Sequence, residues 1–531
     1  MIFRSPYPDV TVPAVGLSEL VFGELTADDA DRVAIVDATT GESHRFGGLV
    51  EAVGRLAGAL GARGIGRGDV AALFAPNCAA YPLVFHGILS AGAAVSPVNA
   101  LYTQADLAHQ LRDAGARILF CSPAGLDRAR AAAAEPGVPI TEIVVLGEPA
   151  AGRGPVRETR LADLLASHDP APPVAVDGQD LAALPYSSGT TGLAKGVQLT
   201  HRNLVANVLQ IHPLVRMRPG SRVLTAVPLF HIYGLTGIMN LALLRRGCVV
   251  TMPRFDLVAF LAALAEHRAD HVFIAPPVAL ALAHHPLVDD YDLSSIEIVL
   301  SAAAPLDASL ARMVEDRLGA TVVQAYGLTE SSPCTHGIPV DRPDLDRGSI
   351  GLPMPNVEAR VVDPDTGEDV AVGKPGELLC RGPNIMLGYL NNPGATAAAV
   401  DEGGWLHTGD LVTVDTDGAF HVVDRLKELI KYKGYQVAPA ELEAVLLTHD
   451  GVADAAVVGT PNGDGEEVPK AFVVRSDASP GLDAHAVMAF VAARVAPYKK
   501  VRAVEFVDAI PKSAAGKILR KELRVRPAAT A

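Results

Sequence analysis

The sequence predicts an α/β protein in which a large first part contains a mostly parallel sheet and a small last part is of the α+β type. Up to Asp410, short continuous apolar runs alternate with helical stretches, and the runs are spaced too widely for hairpins. Such runs are typical of parallel strands that helices cover on both faces. The chain has 531 residues, of which 49% are hydrophobic and 20% are charged, so it can bury the cores of more than one domain.

The apolar runs give the predicted strands of the first part in chain order. They predict strands at residues 70–75, 117–121, 143–146, 223–228, 248–252, 271–275, 296–301 and 321–325. Between these runs, the pattern predicts helices at residues 49–63 and 257–267. The alanine-rich run at residues 129–134 is expected to form a surface helix.

The pattern changes after Asp410. Residues 412–423 predict an antiparallel hairpin with Asp417-Gly418 at its turn, since Asp-Gly is favoured in two-residue hairpin loops. Beyond the hairpin, the sequence predicts strands and helices in the order helix 439–447, strands 455–459 and 471–474, helix 484–493 and strand 503–507. A charged stretch follows the hairpin, and we place a domain boundary at residues 425–428, between a domain of residues 1–424 and one of residues 429–531.

Charge and composition exclude several classes of protein. The formal net charge of −15 argues against general binding to nucleic acid or to an anionic membrane. The five cysteines form no C-x-x-C pair, so neither a disulfide framework nor a zinc site is predicted. The longest apolar run, residues 83–100, is interrupted by His86, Ser90 and Pro97, and the first residues lack the apolar stretch of a signal peptide. We expect a soluble cytoplasmic protein, a monomer or homodimer, without a membrane span or a nucleic-acid partner.

The segment from Tyr186 to Val197 is the most informative one. Glycines let backbone amides approach an anion, hydroxyls donate to its oxygens, and Lys195 supplies positive charge. A flexible linker is the alternative, but a linker would not need the lysine. A Walker loop is excluded because Gly196, not Ser or Thr, follows the lysine. The sequence therefore predicts a phosphate-binding loop that consists of Ser187, Ser188, Gly189, Thr190, Thr191, Gly192 and Lys195.

This loop resembles the phosphate-binding loop of the adenylate-forming superfamily, which includes acyl-CoA synthetases and luciferases. Further motifs follow in the family's order: Y-G-x-T-E at residues 326–330, G-W-x-x-T-G-D at 404–410, the hinge D-R-x-K at 424–427 and the catalytic-lysine motif around Lys517. The resemblance implies a large N-terminal domain of stacked, mostly parallel sheets with helices and a β-barrel-like part, followed by a small mobile α+β domain that rotates about Lys427.

The resemblance also implies the roles of the nucleotide-binding residues. A carboxylate that attacks the α-phosphate of ATP meets a second anion, so the reaction needs a cation and a metal ion at that point. By resemblance Lys517 is the catalytic cation and Glu330 holds Mg²⁺. Thr329, also counted as catalytic, donates to the α-phosphate, and Asp410 and Arg425 bind the ribose. The other ATP-binding residues implied by the resemblance are Ala303, Ala304, Ala325, Tyr326 and Gly327.

The stretch of residues 431–437 resembles acyl-CoA ligases and implies coenzyme A as the second substrate. By resemblance Lys431 serves the thioester-forming step, and Lys433 and Gly434 contact the CoA arm. Arg254 stands where these ligases often carry a lysine that faces the CoA phosphates. A solvated strand face is the alternative for the alternating lysines.

His231 stands where adenylation domains for amino acids have an aspartate, so an amino acid substrate is not expected. Together with Tyr233, it makes the chain most similar to hydroxycinnamate (4-coumarate) CoA ligases and is counted as catalytic. The implied acyl-pocket residues are His231, Tyr233, Gly237, Ala302, Ala325, Gly327, Pro333 and Cys334. Ala302 and Ala325 replace glycines common in those ligases and should narrow the pocket.

We therefore expect an ATP-dependent carboxylate–CoA ligase for cinnamate-type or 4-coumarate-type aryl acids. A fatty acyl-CoA or acyl-AMP ligase, a luciferase-like oxygenase and a non-catalytic AMP-binding relative remain as alternatives.

Overall fold

A computed structural model describes most of the chain and divides it into two compact units. The described residues are 1–149, 151–152, 154–167, 169–171, 174–187, 194–432, 435–461, 467–476, 479–513 and 516–524, without the side chains of residues 435 and 436. The smaller unit consists of Met1–Ile2, Ala359–Leu379 and His407–Ala531, and the larger unit consists of Phe3–Glu358 and Cys380–Leu406. The predicted boundary at residues 425–428 stays a prediction.

The larger unit contains two mixed sheets. One sheet pairs, in spatial order, Tyr186–Ser187, Lys195–Thr200, Leu181–Ala183, Ala94–Val98, Val70–Phe74, Ile118–Cys121, Glu142–Val145 and Arg157–Arg160, and Gly388–Tyr389 pairs with Lys195–Thr200. The other sheet pairs, in spatial order, Leu352–Pro353, Cys334–Gly337, Thr321–Gly327, Ile298–Ser301, His271–Ile274, Arg222–Thr225, Cys248–Thr251, Val33–Asp37 and Ser43–Arg45.

Helices cover these sheets. They are Leu17–Phe22, Ala27–Asp31, Phe46–Gly61, Ala80–Ser90, Gln104–Asp113, Leu126–Ala133, Leu161–Leu165, His201–Val215, Leu241–Leu244, Leu257–Glu266, Pro276–His284, Ala308–Leu318 and Pro393–Ala399, with a π-helix at Tyr233–Asn240 and 3₁₀ turns at Pro123–Gly125, Pro286–Asp290 and Thr329–Ser331. Capping explains several of their boundaries. Asp307, for example, accepts the amides of Ser309 and Leu310 at the start of one helix, and Gly319 ends that helix with φ +66.

The predicted α/β class is confirmed, and the central strands are parallel. The strands Arg222–Thr225, His271–Ile274, Ile298–Ser301 and Thr321–Gly327 run parallel and lie within two residues of their predicted starts. Their side chains are almost all buried, which is why the sequence shows continuous apolar runs there. The prediction for the alanine-rich run was wrong in one respect: in the helix Leu126–Ala133, Ala129 and Ala132 are fully buried in the core, because small side chains let the helix pack closely on the sheet.

The smaller unit contains the elements predicted after Asp410, and a sheet that precedes them. The five strands of that sheet are, in spatial order, Phe3–Arg4, Glu358–Val362, Gly376–Arg381, Leu406–Val414 and Phe420–Arg425. The rest comprises the hairpin Ile430–Tyr432 with Tyr435–Val437, the sheet of Val452–Pro461, Glu467–Arg475 and Ala503–Phe506, the helices Pro439–Leu447, Ala484–Ala492 and Arg520–Arg524, and a 3₁₀ turn at Pro497–Lys499.

The predicted hairpin turn is confirmed. Val412 pairs with Val422, and Gly418 has φ +80, a conformation that glycine adopts without strain. Asp415 accepts the amides of Asp417 and Ala419 and so fixes the turn. A β-barrel-like arrangement stays a prediction. Among the described residues, we find no helix of the length and apolarity needed to cross a bilayer.

Candidate active site

The predicted site residues of the larger unit follow the carboxyl ends of parallel strands. Residues 302–304 follow the strand Ile298–Ser301, and Glu330 follows the strand Thr321–Gly327. Since these strands are neighbours in one sheet, the segments that follow them leave the sheet at the same edge. Ligands of α/β proteins bind outside this edge.

Two hydroxyl groups hold the carboxylate of Glu330 by the same oxygen. Ser187 Oγ donates to Glu330 Oε1 at 3.0 Å, and the Tyr389 hydroxyl donates to it at 2.8 Å. For the second oxygen, Oε2, no hydrogen bond or ion pair is found among the described residues. Burial and the charge of Glu330 raise the pKa of Tyr389 well above its usual value, so the tyrosine remains a donor.

Lys195 lies next to the same tyrosine. Its ammonium group is 4.7 Å from the centroid of the Tyr389 ring, which is a cation–π contact. The strands Lys195–Thr200 and Gly388–Tyr389 pair in antiparallel register, and the Leu390 amide donates to Gly196 O at 2.8 Å. Ser187 and Lys195 face each other at the ends of the predicted phosphate loop. The remaining predicted loop residues, Ser188, Gly189, Thr190, Thr191 and Gly192, lie outside the described residues.

The groups around Glu330 suit a Mg²⁺ ion that binds together with a nucleotide. Mg²⁺ prefers oxygen ligands, and proteins usually bind it through one or two carboxylates together with substrate phosphates and water. Glu330 offers one carboxylate oxygen, and Lys195, the predicted phosphate contact, lies beside Tyr389, the tyrosine that donates to Glu330. Within the described part of the chain, no cluster of three or more His, Cys, Asp or Glu could form an all-protein metal site.

The turn that carries Thr329 and Glu330 depends on close backbone packing. A Cβ atom on Gly327 would lie 2.0 Å from the carbonyl oxygen of Pro333, so only glycine fits there. The Leu328 amide donates to Ser331 Oγ at 3.0 Å and starts the 3₁₀ turn. The Met386 amide donates to the Glu330 carbonyl at 2.9 Å. Thr329 and Glu330 are therefore fixed by the backbone on both sides.

Tyr233, Gly237 and Ala302 lie together at the predicted acyl pocket. Tyr233 is buried, and its hydroxyl donates to the carbonyl of Leu300 at 3.2 Å. A Cβ atom on Gly237 would lie 3.4 Å from the Tyr233 ring. The Ala302 amide donates to the carbonyl of Ile274 at 3.2 Å, and a weaker contact joins the Tyr233 hydroxyl to the same carbonyl. Since protein carbonyls use the hydroxyl, the Tyr233 ring is the part left to contact an acid.

Cys334 is held beside this group by Asn207. The Asn207 amide donates to Cys334 O at 2.7 Å, and the Cys334 amide donates to Asn207 Oδ1 at 3.0 Å. Burial raises the pKa of the Cys334 thiol to about 12, so the thiol stays neutral. The pKa of Tyr233 is raised mainly by burial, and also by Cys334, which places the two side chains near each other.

The other predicted residues of the larger unit have distinct surroundings. His231 accepts the Tyr233 amide at Nδ1, 3.3 Å away. Ala303 adopts φ +75, a left-handed conformation that is strained for alanine. Ala325 pairs with Gly337 on the neighbouring strand. Arg254 is exposed after the strand Cys248–Thr251, and no contact of its side chain with another predicted site residue is found in the described part of the chain.

In the smaller unit, Asp410 and Arg425 face each other across two strands. Arg425 Nε lies 3.2 Å from Asp410 Oδ1, and the Asp410 side chain is only 4% exposed. Thr408 Oγ1 accepts the Asp410 amide at 3.1 Å, and Gly409 turns the backbone with φ +69. The carboxylate is thus oriented by its own strand and paired with a guanidinium.

The charges of Asp410 and Arg425 also act on Lys517. Burial and, to a smaller extent, the charge of Arg425 lower the pKa of Lys517 to about 8, and the charge of Asp410 opposes this shift. Ser513 Oγ accepts the Lys517 amide at 3.2 Å and holds the loop. The structure therefore brings together three residues that three separate motifs predicted.

A buried ion pair below Lys517 was not predicted. Arg520 Nη2 lies 2.6 Å from Glu443 Oε2, and the two side chains are only 12% and 10% exposed. Glu443 Oε1 also accepts the Val457 amide at 2.7 Å, and Arg520 Nε donates to the Val457 carbonyl. This network fixes the segment three residues beyond Lys517. A single arginine and a single glutamate that lie 77 residues apart form no pattern that could have pointed to this pair.

Two of the residues predicted for the hinge and for CoA, Lys427 and Lys431, lie on the surface of the smaller unit. Lys427 is exposed in a turn that the Glu428 amide closes onto the Arg425 carbonyl at 2.9 Å. Lys431 is exposed, and its amide donates to Glu467 Oε2 at 3.0 Å. Lys433 and Gly434 lie outside the described residues.

Comparisons with known proteins agree with the motifs. Residues 24–390 match the family described as AMP-binding enzyme, and residues 441–517 match the AMP-binding enzyme C-terminal domain. The chain is 43% identical to 4-coumarate–CoA ligase-like 9 of Oryza sativa subsp. japonica, over 98% of this chain and 95% of that protein. It is 40% identical to 4-coumarate–CoA ligase 5 of the same organism, over 99% of this chain and 98% of that protein.

Solved structures show the same fold. ATP-bound MatB from Rhodopseudomonas palustris has a TM-score of 0.86 and 32% identity, over 96% of this chain and 98% of that chain. A benzoate CoA ligase from Burkholderia xenovorans LB400 has a TM-score of 0.86 and 28% identity, over 96% of this chain and 99% of that chain. With matches to both domain families and near full-length relatives at this level of identity, the chain belongs to the AMP-binding enzyme family, the adenylate-forming enzymes that its motifs resemble.

Proposed function

We propose that this protein is an ATP-dependent carboxylate–CoA ligase that acts on aryl acids. The relatives named as 4-coumarate–CoA ligases and as a benzoate CoA ligase support this function. The observation that carries it is the group of Asp410, Arg425 and Lys517, in which a buried carboxylate paired with a guanidinium acts on a partly buried cation. We assign the carboxylate to the ribose of ATP and the cation to the reacting phosphate.

In the first half-reaction, a carboxylate oxygen of the acid attacks the α-phosphorus of ATP. The new O–P bond forms as the bond to pyrophosphate breaks, and the acyl-adenylate results. Lys517 offsets the negative charge that gathers between the two anions, and Thr329 donates to the α-phosphate. Asp410 accepts the ribose hydroxyls, and Arg425 holds Asp410 in place.

Glu330 would hold Mg²⁺ through the oxygen that its two hydroxyl partners leave available. The metal ion would supply charge to the leaving pyrophosphate. Lys195 would bind the same phosphates, so the two groups of the larger unit act on the leaving group.

In the second half-reaction, the sulfur of CoA attacks the carbonyl carbon of the adenylate. The C–S bond forms, the C–O bond to AMP breaks, and the thiol proton is released to solvent. We assign Lys431 to this step, with Lys433, Gly434 and Arg254 as contacts of the CoA arm. The exposed side chains of Lys431 and Arg254 are consistent with a ligand that arrives from solvent.

The acid pocket favours a planar aryl acid. The residues at the predicted acyl pocket present an apolar surface with few groups that need a hydrogen-bond partner. They are the buried Tyr233 ring, Gly237 with no side chain, the small Ala302 and the neutral Cys334. A rigid aryl-propenoate loses little conformational freedom on binding, whereas a fatty chain must be ordered along its length. Cinnamate and 4-coumarate are therefore the proposed acids.

The reaction is tested by product analysis. With ATP, Mg²⁺, CoA and 4-coumarate, we expect AMP, pyrophosphate and the acyl-CoA thioester, and the thioester should be lost when CoA is omitted. ADP and phosphate as products would overturn the proposal, because they indicate attack on the γ-phosphate.

The acid class is tested by comparing kcat/KM for cinnamate, 4-coumarate, benzoate and palmitate under the same conditions. We expect the two aryl-propenoates to be preferred. A preference for palmitate over cinnamate of about tenfold or more, roughly 1.4 kcal/mol in transition-state stabilisation, would refute the aryl assignment and leave the adenylation chemistry intact.

A further inference from the structure

Tyr389 connects the two charged groups of the larger unit that face the nucleotide phosphates. Its hydroxyl donates to Glu330 Oε1 at 2.8 Å, and its ring lies 4.7 Å from the ammonium group of Lys195. One side chain therefore contacts both Glu330, the proposed metal ligand, and Lys195, the lysine at the end of the predicted phosphate loop. None of the sequence motifs includes this residue.

The backbone holds Tyr389 firmly in this place. Tyr389 pairs with Val197 across two strands, and the Leu390 amide donates to the carbonyl of Gly196 at 2.8 Å. In the same segment, the Met386 amide donates to the Glu330 carbonyl at 2.9 Å. The segment is thus hydrogen-bonded on one side to the strand of Lys195 and on the other to the turn of Glu330.

The two contacts have different physical consequences. A hydroxyl that donates to a carboxylate fixes the plane of the carboxylate, and here it occupies the same oxygen that Ser187 occupies. The other oxygen of Glu330 is then presented in one direction. The aromatic ring attracts the lysine ammonium without neutralising it, so the charge of Lys195 remains available to a phosphate.

We propose that Tyr389 is a positioning residue: its hydroxyl orients Glu330 toward the metal ion of Mg²⁺–ATP, and its ring orients Lys195 toward the phosphates. The inference rests on the proposed function. Tyr389 then contributes to nucleotide affinity in two ways: its hydroxyl group contributes only when Mg²⁺ is bound, and its ring contributes with or without Mg²⁺.

The test measures binding of α,β-methylene-ATP by calorimetry, with and without Mg²⁺, to the full-length protein. In the Tyr389→Phe variant we expect the gain in affinity that Mg²⁺ provides to fall by about five- to tenfold, with unchanged affinity in the absence of Mg²⁺. In the Tyr389→Leu variant, which also lacks the ring, we expect weaker binding without Mg²⁺ as well. The Mg²⁺ concentration for half-maximal pyrophosphate release should rise in both variants.

Tyr7→Phe is a matched control in the same unit. The Tyr7 hydroxyl donates to Asp341 at 2.6 Å, so this variant removes an equivalent hydroxyl–carboxylate bond outside the site. It should bind the analogue as the parental chain does, with and without Mg²⁺. Thermal unfolding of all variants shows whether a loss of binding comes from a loss of folding.

The outcomes are distinct. A Tyr389→Phe variant with the parental response to Mg²⁺ would overturn the inference, and so would equal losses with and without Mg²⁺, which indicate a purely structural role. The calorimetry requires no acid and no CoA. A parental chain that binds the analogue but ligates no acid would therefore refute the proposed function while the binding data still decide on Tyr389.

Discussion

The two units hold their site cations in different ways. In the larger unit, Lys195 rests over the ring of Tyr389, and the nearby carboxylate of Glu330 is held by hydroxyl groups. In the smaller unit, Lys517 is partly buried among charged groups, and its pKa falls to about 8. Lys195 forms no ion pair with any residue that the structure describes, whereas Lys517 is under the influence of two carboxylates, Asp410 and Glu428, and two guanidinium groups, Arg425 and Arg520.

From this difference we infer that Lys195 and Lys517 have different roles. A cation over an aromatic ring keeps its charge and serves as a fixed binding group for phosphate. A lysine with a lowered pKa loses part of its hydration and is attracted strongly to a new anion, so its effect is largest when charge gathers on the reacting phosphorus. We therefore expect substitutions in the larger unit to change nucleotide and Mg²⁺ binding, and those at Lys517 to change the rate of adenylation.

The largest effect is expected for Lys517→Ala. Adenylation, measured as acid-dependent pyrophosphate release, should slow by ~10²–10³, a typical cost of removing one well-placed charge from a reacting site. Thioester formation from presynthesised acyl-adenylate and CoA should be largely retained. Lys431→Ala is the matched control, and for it we expect the reverse pattern. Adenylation at the parental rate in the Lys517→Ala variant would show that another group supplies the charge.

The next effect concerns Asp410. Replacing it with Ala removes charge-assisted hydrogen bonds to the ribose and should weaken ATP binding by about 1–3 kcal/mol, roughly 5- to 150-fold, in calorimetry. It also removes the charge that raises the pKa of Lys517, so the lysine should lose its proton at a lower pH than in the parental chain. Asp415→Ala, which alters a carboxylate bonded to His421 in the adjacent hairpin turn, is the control. Parental nucleotide affinity in a folded Asp410→Ala variant would contradict the ribose role.

The smallest effect is the dependence of adenylation on pH. In the proposed mechanism the protonated form of Lys517 is the active cation, and with a pKa of about 8 in the free protein this form is lost as the pH rises through 8. The value of kcat/KM for ATP in the first half-reaction should therefore decrease by about tenfold per pH unit above that point. In the Lys517→Arg variant the decrease should disappear, because arginine stays charged. A decrease that persists in this variant would assign it to a different group.

Much of the fold could be predicted because its signals are local. The buried parallel strands appear as continuous apolar runs, and the helix Pro439–Leu447 has the predicted bounds. The site residues Ser187, Glu330, Asp410 and Lys517 could be predicted because each lies in a short motif of characteristic composition, and their roles stay predictions.

The groups that hold these residues could not be predicted in the same way. Tyr389 acts on Glu330 from 59 residues away, and Arg520 acts on Glu443 from 77 residues away. A single tyrosine or arginine has no pattern around it, and its partner is known only once the strands are paired. The left-handed backbone conformation of Ala303 could not be predicted from the sequence either, since alanine does not favour such a conformation.

The helix at Tyr233–Asn240 is wound with hydrogen bonds from residue i to residue i+5, so its turns are wider than those of an α-helix. Deleting one residue between Tyr233 and Gly237 would allow this segment to rewind as an α-helix, and Ile238 instead of Gly237 would then stand four residues after Tyr233, the spacing at which side chains of an α-helix meet. Gly237 would then leave the ring of Tyr233, and a different side chain would face the acid. A point substitution changes one side chain of the proposed acyl pocket, whereas a deletion here changes which residues of the helix line it. In the proposed pocket, such a deletion would change the residues that face the acid in one step and would leave Lys195 and Glu330 in place.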